Sequence, residues 1–223
     1  MDSAAAPSLA VDVVSDVVCP WCYIGKRKLE RALDELARRE PSLDVAVRWH
    51  PFELNPDLPA EGILRRDYLR GKFGSDRTDE IYARVRAAGE GVGIDFAFER
   101  IVRQPNTRDA HRLVAWAQER GEGAAMVEAL FRAYFIDGRS LADRGELAAI
   151  AEAAGFEGAA ARALLDSEGL RAEVESEYRE AQAAGIGAVP FFIFNGRTAV
   201  SGAHDSPTLL EAIAAAREAS AIK

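Results

Sequence analysis

Two cysteines, Cys19 and Cys22, are the residues of this sequence best suited to chemistry. They are the only cysteines among 223 residues, and only Pro20 and Trp21 separate them. A single closely spaced pair cannot form a disulfide framework, so it is a candidate for redox catalysis or for metal binding. If the pair opens a helix, the two sulfur atoms lie on one face and can form a disulfide reversibly.

The place of Cys19 at the start of a helix would make it the reactive member of the pair. Unpaired backbone N–H groups and the helix dipole favour an anion there, and the thiolate is the form that attacks disulfides. Cys22 would then attack Cys19 and release the product. Pro20 suits the first helical turn because it has no N–H to leave unbonded. We expect Pro20 and Trp21 to tune the redox potential.

The alternative chemistry for a CxxC pair is metal binding, because such a pair is also half of a zinc site. A structural zinc ion needs four ligands. The sequence has no third cysteine, and its only histidines are His50, His111 and His204. We therefore predict no metal, and no cofactor apart from the redox-active pair.

The elements around the pair follow a strand, helix, strand order. Residues 9–15 form a short valine-rich run that is typical of a buried strand. Residues 23–39 have apolar side chains at helical spacing, and residues 43–49 alternate in the manner of a strand. The cysteines are thus expected at a strand-to-helix turn.

The rest of the chain reads as a helical block followed by a hairpin and a helix. Between residues 60 and 185 we find no convincing strand, and helical periodicity occurs in 63–73, 78–88, 108–120, 124–136, 144–154 and 170–184. Strand character returns in residues 191–194 and 197–201, and Asn195-Gly196 between them indicates a tight hairpin. A final helix is predicted over residues 207–219.

Composition and charge exclude several classes of function. The formal net charge is −8, which repels phosphate backbones, so nucleic acid is not expected as a partner. Hydrophobic residues make up 48% of the chain, enough for a packed core, yet no apolar run approaches the roughly 18 residues that span a bilayer. The first ten residues contain no Lys or Arg, unlike a secretory leader. We expect a soluble, cytoplasmic protein that binds no membrane.

Together with the CxxC pair, several stretches resemble the DsbA family, and specifically its FrnE-like cytoplasmic branch. They are residues 49–54, 106–113 and 187–194, and residues 201–203 with Pro207. The resemblance, over about residues 9–219, implies an α/β, thioredoxin-like fold with a mixed central sheet flanked by helices. It implies a thioredoxin-like domain over 9–59 and 186–219, and a large all-helical insertion domain over 60–185.

The resemblance also implies a function and further site residues. The function is thiol–disulfide exchange with protein or small-thiol substrates, with glutathione as a candidate co-substrate. Pro190 takes the place of the family's cis-proline, so we predict a cis Val189–Pro190 bond whose Val189 backbone binds substrate. His111 and Asn106 lie in a motif similar to the family's cleft-lining helix and are candidate substrate contacts. For His111, a histidine satisfied by a backbone hydrogen bond is an equal alternative.

Two departures from the family pattern bear on the redox potential. The secreted DsbA has Pro-His between its cysteines, whereas this chain has Pro-Trp. The family's buried acid, six residues before the first cysteine, is replaced by Val13, although Asp12 and Asp16 flank that position. Because about 30 mV corresponds to about 1.4 kcal/mol, both oxidase and reductase directions stay open at this point.

Two other function classes compete with the oxidoreductase. Kappa-class glutathione transferases and 2-hydroxychromene-2-carboxylate isomerases belong to the same extended family, but usually carry serine where Cys19 stands. A binding module or holdase with incidental cysteines is the third class. Large aromatic residues could line a groove for such binding, but their spacing favours a core role: Trp49, Phe52, Trp116, Phe131 and Phe135. The basic run Lys26-Arg27-Lys28 is most simply a solvated helix face.

Overall fold

A computed structural model of the protein describes residues 9–74 and 78–221. The elements in chain order are β1 (Leu9–Ser15), α1 (Pro20–Arg39), β2 (Val45–Pro51), β3 (Ile63–Leu64), α2 (Arg65–Phe73), α3 (Thr78–Glu90), β4 (Arg103–Gln104), α4 (Arg108–Gln118), α5 (Gly123–Phe135), α6 (Arg144–Ala153), α7 (Gly158–Asp166), α8 (Arg171–Ala183), β5 (Phe191–Phe194), β6 (Thr198–Ser201) and α9 (Ser206–Ala221). A 3₁₀ turn spans Phe98–Arg100.

A mixed sheet in the order β2-β1-β5-β6 forms the centre of the fold. Strand β1 runs parallel to β2 and antiparallel to β5, and β5 pairs with β6 as an antiparallel hairpin. Because β1 has a neighbour on each side, its valines Val11 and Val13 are almost fully buried. The predicted mixed sheet flanked by helices is therefore present, and the C-terminal end of β1 leads directly to the cysteines.

Helix α1 begins earlier than its apolar periodicity indicates, at Pro20 rather than Tyr23. Cys19 is the N-cap residue, with an extended backbone (φ −93°, ψ 113°), and proline occupies the first helical position. Proline is tolerated there because the first-turn N–H groups have no intrahelical partner. Cys22 therefore lies in the first turn, as the reasoning from the CxxC spacing requires.

The segment between residues 60 and 185 is mostly helical, but it also contains a short ladder. Strands β3 and β4 pair antiparallel through two residues each. The expectation of an all-helical segment was wrong in this detail, because two residues are too few to show alternation. Helix α7 was also missed; it is only nine residues long and four of them are alanines, so its buried positions Ala161 and Leu165 are a weak signal in the sequence. The division into two separate domains stays a prediction.

The hairpin between β5 and β6 confirms the prediction from Asn195-Gly196. Both residues have positive φ, 51° for Asn195 and 63° for Gly196, and the Arg197 N–H donates to the Phe194 carbonyl oxygen (3.0 Å) across the turn. The Asn195 side-chain oxygen also accepts a hydrogen bond from the Ala10 N–H (2.8 Å), which ties the turn to β1. Within residues 9–74 and 78–221, no helix combines the length and the apolar sequence that a membrane span needs.

The large aromatic residues lie in the core, as their spacing predicted. Trp49, Phe52, Trp116, Phe131 and Phe135 are all buried. They pack with other aromatic rings; Tyr23 of α1, for example, stacks on Phe131 of α5 with ring centroids 4.8 Å apart. The first turns of α1 are therefore held against α5 by apolar contact.

The basic run on α1 is not a solvated face, so that interpretation was wrong. Lys26 is only 4% exposed and its Nζ lies 2.8 Å from the Glu128 carboxylate of α5. Arg27 pairs with the same carboxylate. Burial, followed by the charge of Glu128, raises the pKa of the Tyr23 hydroxyl, which donates a hydrogen bond to that carboxylate. A buried lysine is tolerated because a carboxylate distant in sequence supplies its partner.

Candidate active site

The two thiols lie together at the first turn of α1. Both are free and buried; Cys19 is 5% exposed and Cys22 1% exposed. Burial raises the pKa of the Cys22 thiol well above its ordinary value, and the neighbouring Cys19 adds to this effect. Trp21, between them in sequence, is 41% exposed and marks the solvent side. The pair thus combines an outer sulfur with an inner one that resists ionisation.

The segment before β5 places a proline against the redox pair. The Val189–Pro190 peptide bond is cis, which confirms the prediction of its geometry. The Cys19 thiol donates a weak hydrogen bond to the Val189 carbonyl oxygen (3.7 Å). Val189 is half-buried and precedes the β5 ladder, while Pro190 is buried. Residues 170 positions apart in sequence therefore meet at the first cysteine.

Gly25 on α1 allows this approach, and the sequence analysis did not single it out. A Cβ atom at Gly25 would lie 2.8 Å from Pro190 Cγ and 3.1 Å from Phe192 Cζ. Carbon atoms do not pack at such distances without displacement. The available signal was a glycine within the predicted helix, three residues after Cys22. The sequence alone does not show that Pro190 packs against it.

Gly25→Ala is therefore expected to push Pro190 away from the pair. We expect it to lower the free energy of unfolding by about 1–3 kcal/mol, the usual cost of overpacking, and to slow disulfide exchange. Urea unfolding and insulin reduction measure the two effects. Gly71→Ala in α2 is the matched control, since nothing lies within 4 Å of its Cβ position. That control should gain about 0.5–1 kcal/mol. Equal behaviour of the two variants would contradict the packing argument.

Asp16, after β1, is the buried acid that the sequence left unplaced. Its side chain is fully buried and accepts hydrogen bonds from the N–H groups of Val18 (3.3 Å) and Leu54 (2.8 Å). Its backbone oxygen accepts the N–H of Cys19 (3.0 Å). Asp16 thus shapes the turn into α1 and joins it to the segment after β2.

His111 on α4 lies next to this acid. Its Nε2 atom is 3.0 Å from the Phe52 carbonyl oxygen and 3.6 Å from Asp16 Oδ1. His111 thus has a backbone hydrogen-bond partner, as one of the two alternatives from the sequence expected, and it also lies beside a buried carboxylate. A contact of His111 with substrate stays a prediction.

Asn106, the other candidate substrate contact, holds a loop. Its side-chain amide donates to the carbonyl oxygens of Pro56 (3.2 Å) and Leu58 (3.0 Å). Its side-chain oxygen accepts the Arg108 N–H (3.0 Å) at the start of α4. The residue links the loop after β2 to α4, and its role toward substrate likewise stays a prediction.

Comparison with known proteins identifies the family. A profile of the DSBA-like thioredoxin domain matches residues 10–214. The chain belongs to the DSBA-like thioredoxin domain family. The DsbA-like chain is 30% identical to a probable DsbA oxidoreductase from Streptomyces coelicolor, with a TM-score of 0.82 over 93% of this chain and 89% of that one. These matches confirm the DsbA resemblance and the thioredoxin-like fold.

Two more distant structures share the fold of the DsbA-like chain. A 2-hydroxychromene-2-carboxylate isomerase is 17% identical, with a TM-score of 0.68, over 96% of this chain and 99% of that one. The cytosolic disulfide reductase DsbM from Pseudomonas aeruginosa, solved with glutathione, is 20% identical, with a TM-score of 0.62, over 95% and 97%. An oxidoreductase and an isomerase thus share the fold of this chain, and the match to the DSBA-like thioredoxin domain supports an enzyme.

His50 at the end of β2 joins two acids of the DsbA-like chain. Its Nε2 atom is 2.9 Å from Asp12 Oδ1 on β1, and its Nδ1 atom is 2.9 Å from Glu177 Oε2 on α8. Asp12 first and Glu177 second raise the pKa of His50 from 6.5 to about 9. The same contact lowers the pKa of Asp12. His50 is therefore charged at neutral pH and links the sheet to α8.

This link should make stability fall at alkaline pH. Because the folded-state pKa of His50 is raised, its contribution is complete below about pH 6.5 and is lost as pH rises through 9. A shift of that size corresponds to about 3 kcal/mol, which partial exposure of the side chain reduces to about 1–2 kcal/mol. Urea unfolding of wild type and His50→Gln at pH 6 and pH 9.5 measures it. The difference between the two proteins should shrink at pH 9.5; an unchanged difference would contradict the assignment. Thiol ionisation is common to both proteins and cancels.

No group of three or more His, Cys, Asp or Glu side chains within residues 9–74 and 78–221 is arranged to hold a metal ion.

Proposed function

We propose that this protein is a thiol–disulfide oxidoreductase of the DsbA type that acts through Cys19 and Cys22. The observation that carries the proposal is the thiol pair at the N-terminus of α1, with the Cys19 sulfur against the Val189 carbonyl before the cis-proline. Cys19 caps the N-terminus of α1, where an anion is favoured, and its thiolate attacks a substrate disulfide to form a mixed disulfide. Cys22 attacks Cys19 and releases the reduced substrate.

The residues around the pair take supporting roles in this proposal. Pro20 and Trp21 tune the balance between dithiol and disulfide, because they form the part of the first helical turn that lies between the two cysteines. The Val189 backbone binds an extended substrate segment by strand addition, because it precedes β5 and lies beside the Cys19 sulfur. Substrates are proteins, peptides or small thiols that carry exposed disulfides.

Glutathione is the small thiol that we propose as a co-substrate. The support is the likeness to DsbM, which was solved with glutathione and is described as a cytosolic disulfide reductase. The same likeness supports a cytoplasmic location and a reducing direction. Under this proposal, glutathione returns Cys19–Cys22 to the dithiol after each turnover.

A glutathione-dependent isomerase of the 2-hydroxychromene-2-carboxylate type is the second candidate. The likeness to that enzyme over nearly the whole chain favours it. Cys22 argues against it, because an isomerase that uses a single cysteine or serine has no use for a resolving thiol. The two candidates therefore differ in whether activity requires the inner sulfur.

A glutathione titration of the wild-type protein tests the proposed function. Samples equilibrated at different ratios of reduced to oxidised glutathione are quenched with acid, unfolded in denaturant and alkylated. Denaturant is needed because the inner thiol, Cys22, is only 1% exposed in the folded chain. We expect two alkylated cysteines at the reducing end and none at the oxidising end, in one joint transition. A protein that keeps both thiols in oxidised glutathione would contradict the proposal.

A further inference from the structure

An open groove lies between α2, α3 and the segment that leads into β4. Its volume is about 560 Å³, which is within the usual range of pockets for small organic ligands. Two apolar side chains at its rim, Leu64 and Val102, are 42% and 67% exposed. Among the residues that the structure describes, its lining includes neither cysteine nor Pro190. The groove is therefore separate from the thiol pair.

Aliphatic side chains form much of the groove surface. They are Leu64 of β3, Leu69 on α2, and Ile101 and Val102 before β4. The Arg65 N–H donates to the Val102 carbonyl oxygen (2.8 Å), and this hydrogen bond holds two sides of the groove together. Exposed apolar surface in a preformed concave site favours binding of an apolar ligand that covers it. The groove thus offers a binding surface for an aliphatic chain.

The Arg65 side chain, which lines the groove, carries a buried charge among neutral partners. It is 9% exposed. Its Nη1 atom donates to Gln104 Oε1 and to the Tyr134 hydroxyl (3.2 Å), and its Nη2 atom donates to the Tyr82 hydroxyl (3.0 Å). Its Nε atom is buried without a hydrogen-bond partner in residues 9–74 and 78–221. Buried charges are normally paired with an opposite charge, so Arg65 lacks a counter-charge within the described chain.

Two more arginines of α2, Arg66 and Arg70, line the same groove and are exposed. Arg66 Nε lies 3.1 Å from the carboxylate of its neighbour Asp67. Arg70 forms no ion pair with any residue in the part of the chain that the structure describes. No Asp or Glu side chain of the described residues lines the groove. In a chain with a formal net charge of −8, the groove is therefore a local patch of positive charge.

We propose that the groove is a binding site for a medium-chain aliphatic carboxylate. The carboxylate lies at Arg70 and supplies the counter-charge that Arg65 lacks, while the chain covers Leu69, Ile101 and Val102. A guanidinium group suits this head group, because its planar fork of N–H donors matches the two oxygens of a carboxylate. The site goes beyond the proposed disulfide exchange and does not depend on it.

Calorimetric titration of the full-length wild-type protein with octanoate tests the site. We expect saturable binding of one octanoate per chain. 1-Octanol has the same chain without the charge, and butyrate has the charge with a much shorter chain. Because the groove contributes both apolar surface and positive charge, each of these two control ligands should bind at least about tenfold more weakly than octanoate.

Two substitutions at exposed positions change the groove and leave the buried core intact. Arg70→Gln removes the free charge and should weaken octanoate binding about tenfold, the effect of losing one charge-assisted hydrogen bond. Val102→Asp puts a negative charge at the rim and should weaken octanoate binding by a similar or larger factor. Arg38→Gln on α1 is the matched control, because Arg38 is an exposed arginine that does not line the groove. This control should bind octanoate as the wild type does.

The possible results separate this site from the redox function. Octanoate binding that both groove variants weaken, and that Arg38→Gln leaves unchanged, supports the site. The site is overturned if the wild type shows no saturable binding, or if 1-octanol or butyrate binds as tightly as octanoate. It is also overturned if either folded groove variant binds octanoate as the wild type does. Cys19→Ser should keep octanoate binding, so failure of disulfide exchange and failure of this site are distinguishable results.

Discussion

Cys19→Ser is expected to lower the rate of insulin reduction on the order of a thousandfold or more. A serine hydroxyl is not ionised at neutral pH and cannot form a disulfide, so neither attack nor the mixed disulfide is available. The fold should survive, because serine is smaller and can still donate to the Val189 carbonyl that now accepts from the Cys19 thiol. Turbidity of insulin with dithiothreitol as reductant measures the rate, corrected for the uncatalysed reaction.

A second measurement on Cys19→Ser distinguishes chemical from structural loss. Urea unfolding should give a free energy within about 1 kcal/mol of that of the reduced wild type, since only one sulfur atom is replaced and the hydroxyl can keep the Val189 carbonyl as its partner. Unchanged insulin reduction in the folded variant would rule out the oxidoreductase and favour the binding module with incidental cysteines. Loss of activity together with loss of folding would leave alkylation of the folded wild type with iodoacetamide as the deciding measurement, and an inert Cys19 would again contradict the mechanism.

Cys22→Ala is expected to stop the cycle at a different point. Cys19 still attacks the substrate, but no inner sulfur resolves the adduct, so the chain accumulates as a mixed disulfide. We expect one burst of product per chain and steady turnover about a hundredfold below that of the wild type. Mass spectrometry of the protein after reaction with oxidised glutathione should show nearly stoichiometric glutathionylation.

This variant also separates the two enzyme candidates. A glutathione-dependent isomerase would tolerate Cys22→Ala with little change in turnover, whereas a dithiol enzyme would not. The double variant Cys19→Ser/Cys22→Ala is the control and should form no adduct at all. An adduct on Cys22 in the single variant Cys19→Ser, formed as fast as the adduct on Cys19 in Cys22→Ala, would contradict the assignment of the outer and inner sulfur.

The features that were predictable from the sequence are those specified by residues next to one another in the chain. The CxxC pair follows a valine-rich strand, and proline after Cys19 indicates a helix start, so the place of Cys19 at the N-terminus of α1 was predictable. Asn195-Gly196 specifies its own backbone, so the hairpin was predictable too. The cis Val189–Pro190 bond came from the family resemblance, because an X-Pro pair alone favours the trans form.

The features that were not predictable depend on partners far away in the chain. Lys26 reads as an exposed lysine until Glu128 is placed beside it. Asp16 becomes a buried turn-forming acid only because the Leu54 N–H donates to it. The pKa of His50 is raised because Asp12 on β1 and Glu177 on α8 both contact its ring. Each of these contacts joins two elements that are distant in sequence and packed together in the fold. The periodicity of a single element does not predict which residue of another element it will contact.

The order in which the sheet is assembled has a consequence for biosynthesis. The strand that carries the redox pair toward its proline is β1, near the start of the chain, but its antiparallel neighbour β5 is Phe191–Phe194. At about 5–20 residues per second, a ribosome needs on the order of ten seconds or more to make the residues between them. During that interval the nascent chain displays two cysteines without Val189 and Pro190. The Cys19 thiol therefore gains its contact with the Val189 carbonyl, and β1 its antiparallel neighbour, only when translation is nearly complete.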